Sequence, residues 1–244
     1  MRLDKLLANS GKGTRSEVKK LISSGMVSVN GQVIKDAGYH VSDSDDVNVG
    51  SSSVSEKTFL YYLLDKPDSV LTAMEDKRLK CVGDLIPASL KGRKLSPVGR
   101  LDYHTTGLLL ITNDGELSHR ITSPRYKIKK VYKVTYSGDP LGEEHIREAA
   151  EGIVLTDTGK KIKLAPAVLK LTAENTCLIT LTEGKTHEVR RIISHFGREV
   201  LELRRIKLAN LEIKDPVPGE FRELTGEEIK GLLELTCLDK APRK

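Results

Sequence analysis

The chain has 244 residues, 38% of them hydrophobic and 30% charged, with 40 Lys and Arg against 34 Asp and Glu for a formal charge of +6. That length can bury a core and accommodates a small domain beside a larger one, while no apolar run approaches the roughly 18 residues a membrane span requires. Cys81, Cys177 and Cys237 are far apart and odd in number; they offer neither a disulfide framework nor metal-ligand spacing, and are expected to be reduced, buried thiols.

The opening MRLDKLLANS sets charges among leucines and has no continuous apolar segment of the kind an export signal carries, so the expected location is the cytoplasm. Leu3, Leu6 and Leu7 have the spacing of a helix face, which Gly11-Lys12-Gly13 interrupts. A second helix begins at Thr14, where Glu17 three residues on completes a capping box. Val18, Leu21 and Ile22 form its apolar stripe and Gly25 suits its C-terminal cap. VSVNGQVI then reads as two strands joined by Asn30-Gly31, a dipeptide favoured in tight hairpins. The following DSDDVNVGSSSVSEK reads as a turn and a Ser-rich linker, with the domain boundary near Gly50.

Charge in this first unit is uneven. Arg2, Lys5, Lys12, Arg15, Lys19, Lys20 and Lys35 face only Asp4 and Glu17 between residues 2 and 35. Arg15 and Lys19 lie four apart on one helix face, which makes either a solvated surface or a stripe for phosphates. With no Trp and 4% aromatic residues, contacts to a nucleic acid would have to lean on phosphates and shape rather than on rows of stacking rings. The segment from Met1 to Ile34 resembles an S4 domain, a small RNA-binding module shared by proteins of different activities. The resemblance implies structured RNA as partner and no particular reaction.

From Thr58 onward short strand patterns alternate with turns: FLYYLLDKP, GLLLITNDG, KVYKVTYSG, TCLITLTEG, REVLEL and LANLEI. GEEHIREAAEG and HEVRRIISHFG are helical, and regular parallel β-α alternation is missing. The class expected is α+β, with an S4-like α-α-β-hairpin domain over 1–50, a linker over 51–57 and, over 58–244, a second domain on a mixed, largely antiparallel sheet flanked by helices.

Three segments carry candidate chemistry. In GRLDYHTTGLLLITNDG, Asp102 stands on the loop feeding a buried strand, with Asn113-Asp114-Gly115 as the turn after it. Alone, such an Asp also fits a local turn or cap. In SPRYKIKKVYKVTY, Arg125, Lys127, Lys129, Lys130 and Lys133 fall within nine residues with no acid. Strand alternation puts Tyr132, Val134 and Tyr136 on one face, Tyr132 being either core or a ring that stacks on a base. In EGKTHEVRRIISHFG, Val189, Ile192, Ile193 and Phe196 make an apolar helix face with Arg190 on its border and Arg191 outward. A border arginine either reaches inward to a carboxylate or snorkels to solvent. HEVRR has Arg191 where a zinc HExxH motif needs a second His, so no metal is expected.

Together, Gly-Arg-Leu-Asp with Thr-Thr-Gly-Leu, Lys-x-Tyr-x-Val, and Glu-Gly-Lys-x-His-x-Val-Arg-Arg resemble the pseudouridine synthases of the RsuA family, from the S4 module to GEFRELTGEEI. Within that family, Ser118 to Pro124 (SHRITSP) looks like the branch acting on small-subunit, 16S rRNA. The resemblance implies that a uridine base is cut from its ribose, turned and rejoined through carbon, with Asp102 as nucleophile and no metal or organic cofactor. A glycosidase needs two carboxylates because water must be activated; here none enters the product, so a single acid suffices. Tyr132 would stack on the uracil, Arg190 would pair with Asp102, and Arg100 would enter the space left by the extruded nucleotide. Lys185, Arg191, Arg205 and the Arg125–Lys133 cluster would grip phosphates. Ribosomal RNA or a partly assembled small subunit is the implied partner, and a monomer is expected. Asp65 departs from the Asn usual before Lys-Pro in the family, and Ala209 stands where Gly is common. Two competing readings are a non-catalytic RNA-binding ribosome assembly factor and a nucleoside hydrolase pairing Asp102 with Asp114.

Overall fold

The computed structural model describes residues 1–10, 12–42, 45–54, 59–157 and 160–239. Two units are distinguished among the described residues, the first within 1–60 and 86–96, the second within 61–85 and 97–239.

In the first unit the sequence patterns become α1 (Leu3–Asn9), α2 (Arg15–Ser23), β1 (Val27–Val29) and β2 (Gln32–Val33). The capping box forms, since the Thr14 N–H donates to Glu17 Oε2 at 2.7 Å and the Glu17 N–H to Thr14 Oγ1 at 3.4 Å. Asn30 and Gly31 turn the hairpin at φ of 51° and 78°, the left-handed pair that a tight turn between twisted strands demands. Leu3, Leu7, Val18 and Ile22 close over Val27, Val29 and Val47 as the core.

The Ser-rich stretch differs from its reading as linker. Val47–Val49 is β3 and Ser52–Ser53 is β4, a hairpin around Gly50 that completes an antiparallel sheet of order β2-β1-β3-β4. Apolar alternation explains it, since Val47 and Val54 are both buried. Gly11 and linker residues 55–57 lie outside the described residues.

The second unit contains β5 (Tyr61–Lys66), α3 (Val82–Leu85), β6 (Ser96–Pro97, where the chain returns), β7 (Thr106–Thr112), α4 (Gly115–Thr122), β8 (Lys130–Ser137) and α5 (Glu143–Glu151). It continues through β9 (Val154–Asp157), β10 (Lys160–Lys163), β11 (Val168–Ala173), β12 (Thr176–Leu181) and α6 (Glu188–His195). It closes with β13 (Glu199–Leu208), β14 (Leu211–Glu212), β15 (Phe221–Glu223) and α7 (Gly226–Leu235).

The main sheet runs β11-β12-β8-β13-β7-β5-β15, antiparallel except where β13 and β7 lie parallel. The mixed α+β architecture expected of the sequence is therefore the observed one. Its middle strands β5 and β7 are buried along almost their whole length, which is why YYLL and GLLLI read as unbroken apolar runs. β12 instead alternates, with Cys177, Ile179 and Leu181 turned toward the core. There they join Val134 and Tyr136 of β8 beneath Val189, Ile192, Ile193 and Phe196 of α6. The apolar stripe of HEVRRIISHFG is thus the lid of this half of the core.

The sequence reading passed over α4, α7 and the β9–β10 hairpin. α4 follows the Asn113-Asp114 turn at once, because Asp114 accepts the Leu117 N–H at 3.0 Å and caps it. α7 has its own capping box between Thr225 and Glu228. One expectation is corrected: Cys81 and Cys177 are buried, but Cys237 is exposed. Ala209 adopts φ of 55° at the turn between β13 and β14, a left-handed backbone for which Gly costs less strain.

Candidate active site

The loop Leu101–Thr105 is fastened from below and from both sides. Lys66, at the end of β5, is completely buried, and its ammonium donates to the carbonyls of Pro67 (3.0 Å), Tyr103 (3.2 Å) and Thr105 (2.9 Å). Burial pushes its pKa down to about 8, while the carboxylates of Asp68 and Asp102 pull the other way. The Ser69 N–H donates to Tyr103 O at 3.1 Å, the Thr72 hydroxyl to Leu101 O at 2.6 Å, and the Thr105 N–H closes a turn onto Asp102 O at 3.0 Å. A loop held at four backbone carbonyls presents its one carboxylate in a fixed place.

Gly107 follows from the sheet. Its φ is 101°, and a Cβ there would lie 2.3 Å from Arg205 O and 3.0 Å from Arg204 Cγ. Only glycine lets β7 approach β13 this closely beside the loop. The Arg204 side chain crosses at that point to buried Asp65, Nη2 to Oδ2 at 2.6 Å. The Asp65 carboxylate is therefore paired with an arginine from another strand.

Asp102 opens onto a cavity of about 350 Å³ whose walls include Arg100, Tyr132, Lys185, His187, Glu188 and Leu203. Tyr132 of β8 is half-buried against the core, so the expected face of that strand is the observed one. The expected Arg190–Asp102 pair is not formed. The Arg190 Nη2 donates to His104 O at 3.1 Å, and the ion-pair contact of Asp102 comes from His187, Nε2 to Oδ1 at 3.5 Å. Arg190, in the first turn of α6, fastens the 101–105 loop instead. His187 reaches Asp102 because its backbone is left-handed at φ of 52° as it enters α6. His187 has no assigned role within its sequence motif, and neither has Lys66 in LLDKP; the available signal for Lys66 is the charged pair Asp65-Lys66 closing an otherwise apolar strand.

A second carboxyl lines the cavity, but it faces inward. Glu188 is 4% exposed; its Oε2 accepts the Lys185 N–H at 2.8 Å and its Oε1 is buried with no partner. Burial, reinforced by a hydrogen bond to Glu183, pushes its pKa up to about 7. Against its own partial burial, the Ala165 N–H and the Lys185 ammonium hold Glu183 below the usual carboxylate range. A carboxyl whose pKa is raised by folding gives stability that is fully present below about pH 4.5 and is lost as pH rises through about 7. Glu188→Gln is accordingly expected to flatten the fall in urea midpoint between pH 5 and pH 8; a decline as steep as the parent's would contradict this.

Of the cations expected to meet phosphates, Arg100, Arg125, Lys127 and Lys129 are exposed, as are Arg2, Lys5, Arg15, Lys19 and Lys20 of the first unit, with Lys12 half-buried. Two are corrected. Arg205 is 2% exposed and its Nε donates to Leu108 O at 2.8 Å; Lys130 is 7% exposed and its ammonium lies on the carbonyls of Ile128 and Glu183. Both lie in the core-facing half of their strands, where a side chain cannot reach an RNA backbone. Lys185 is half-buried, its ammonium on Glu183 Oε1 at 2.8 Å and Lys163 O at 2.9 Å, and Arg191 is half-buried on α6. Arg2 pairs with Asp4 at 2.8 Å. Asp114, needed by a two-carboxylate hydrolase, is buried and occupied by the Tyr61 hydroxyl and the cap of α4. Among the described residues no cluster of three His, Cys, Asp or Glu has the placement to hold a metal ion, and no helix is long and apolar enough to cross a membrane.

The clamped loop thus brings one carboxylate and a tyrosine to the same cavity, and the first unit carries exposed basic side chains on its helices. Comparison with known proteins gives the family. An RNA pseudouridylate synthase family model matches residues 60–195 and an S4 domain model residues 1–47. The chain is 40% identical to the uncharacterized RNA pseudouridine synthase YtzG of Bacillus subtilis, covering 96% of this chain and 99% of that protein. It is 38% identical to ribosomal large subunit pseudouridine synthase B of the same organism (96% of each), and 37% to ribosomal small subunit pseudouridine synthase A of Pasteurella multocida (94% and 98%). A solved pseudouridylate synthase superimposes with a TM-score of 0.66 at 34% identity, over 95% of this chain and 99% of that one. The chain belongs to the RNA pseudouridylate synthase family, and is an isomerase with an N-terminal S4 domain.

Proposed function

We propose that the protein isomerises one uridine of ribosomal RNA, in the small subunit, with Asp102 as nucleophile and without a cofactor. The observation that carries the reading is the lone outward carboxylate of the Leu101–Thr105 loop, opening with Tyr132 onto one cavity. In that cavity the uracil stacks on Tyr132 while Asp102 attacks the sugar or the base; the glycosidic bond breaks, the base turns, and carbon takes the place of nitrogen. Lys66 positions the loop, and His187 steadies the carboxylate until the nucleotide enters. Arg190, bonded to His104 O two residues from Asp102, holds the loop that carries the nucleophile. Arg100 fills the gap the flipped nucleotide leaves. Residues 1–50 act as the RNA-gripping domain and 58–244 as the catalytic one, in the cytoplasm, as a monomer.

The relatives' names include enzymes of both ribosomal subunits. The small subunit is chosen on SHRITSP, whose serine-to-proline run forms the end of α4 and the turn after it. Pseudouridine mapping of ribosomal RNA from cells lacking the protein is expected to show one 16S position reverting to uridine. A loss confined to 23S rRNA would move the assignment to the large subunit, and an unchanged map of both would end it.

A further inference from the structure

The S4 match ends at residue 47, yet the first unit also includes residues 86–96, a segment that leaves the second unit's sequence after α3 and returns at β6. IPASLKGRKLS contains Lys91, Arg93 and Lys94 and no acid. Its placement within the unit is fastened at three points. Ile86 and Leu95 are buried, and the Arg93 guanidinium donates to the carbonyl of Ser10 at the end of α1. Between these anchors the backbone turns through Gly92 at φ of 86° and Lys94 at φ of 55°. Lysine in a left-handed conformation costs roughly 1 kcal/mol that glycine would not, so the turn keeps a charge there at the expense of strain.

The turn and α2 together wall a groove of about 500 Å³, with Lys91 and Lys94 on one side and Thr14, Arg15 and Glu17 on the other. All three cations are exposed, and none has a carboxylate partner among the described residues. The one acid, Glu17, is already committed, its Oε2 accepting the Thr14 N–H at 2.7 Å. Three cations drawn from sequence positions some eighty residues apart outnumber the one hydrogen-bonded carboxylate, Glu17, and make a groove whose net field favours a polyanion.

We infer that Lys91 and Lys94 complete a phosphate-binding groove with Arg15, so that the RNA-gripping surface of the first unit is built jointly by the S4 helices and by a segment from the catalytic part of the chain. The ligand is the phosphodiester backbone of the RNA substrate, bound without base readout. This rests on the reading that RNA is the partner, and it extends that grip to residues outside the S4 module.

The test is the salt dependence of RNA binding by the full chain. Each phosphate neutralised contributes a slope of about 0.7 to 0.9 in log affinity against log salt. The paired substitution Lys91→Gln with Lys94→Gln, which keeps most of each side chain's length, is expected to make that slope shallower by about 1.4 to 1.8 on transcribed 16S or 23S rRNA. Lys91→Arg with Lys94→Arg is expected to retain it. The rate of pseudouridine formation at saturating RNA should stay within about twofold of the parent, because neither lysine lines the Asp102 cavity. An unchanged slope on both RNAs in a variant that melts like the parent would overturn the inference. Loss of slope that Lys→Arg fails to rescue would overturn it too. Because the readout is binding, it stands apart from the isomerase reading, whose own failure would be the absence of pseudouridine in the parent.

Discussion

Asp102→Asn is expected to abolish pseudouridine formation while RNA binding stays within a few fold of the parent. The side chain is nearly isosteric and makes no hydrogen bond that fastens the loop; the loop is held by Lys66, Ser69, Thr72 and Arg190 through backbone carbonyls. What the substitution removes is the charge and the nucleophile. Loss of a covalent nucleophile costs on the order of 10⁴-fold or more, about 5.5 kcal/mol of barrier. Single-turnover conversion of a ribosomal RNA transcript measures it. Residual activity near the parent's would remove Asp102 from the chemistry, and a matching loss of affinity would instead assign it to binding.

The second large effect is expected at Lys66. Its ammonium meets three carbonyls in full burial, and charge-assisted hydrogen bonds contribute roughly 1.5 to 3 kcal/mol each. Against this stands the cost of burying the charge, which the fall of its pKa from 10.5 to about 8 puts at roughly 3 kcal/mol. Lys66→Met relieves that cost but leaves the carbonyls of Pro67, Tyr103 and Thr105 without their donor, so it should destabilise the protein by about 1 to 3 kcal/mol at pH 7. It should also lower kcat by about 100-fold, because an ångström of play at a reacting group is that costly. The sign of the pH effect is distinctive. A lysine whose pKa is depressed by folding gives a contribution that is present above the unfolded value near 10.5 and is lost as pH falls through about 8. The stability gap between parent and Lys66→Met should therefore widen from pH 8 toward pH 10 in urea unfolding. A constant gap would mean that folding does not desolvate the Lys66 ammonium.

Much of this was legible in the sequence. The Thr14–Glu17 capping box, the Asn30-Gly31 turn and the stripe of α6 are local devices whose meaning depends on a few neighbouring residues, and they form as expected. The short strands of the Ser-rich stretch were not legible, because two-residue strands take their shape from their pairing partner rather than from their own sequence. The cations show the same division. Arg205 and Lys130 look identical in the sequence to phosphate-binding neighbours; only strand register and the depth of the core reveal them as buried donors to carbonyls. Conversely, nothing local marks residues 86–96 as belonging with the S4 helices, since the Arg93 contact to Ser10 spans more than eighty positions. Asp102, Tyr132 and Arg190 are candidates the sequence offers, but which side chain lies on the carboxylate depends on the left-handed backbone at His187, a tertiary property.

The central claim is that one acid breaks and remakes a glycosidic bond without admitting water. Incubating the purified protein with transcribed 16S rRNA, with EDTA present, and analysing both the RNA nucleosides and the released bases tests it directly. The account predicts pseudouridine in the RNA and no free uracil. Free uracil accumulating in place of pseudouridine would contradict it.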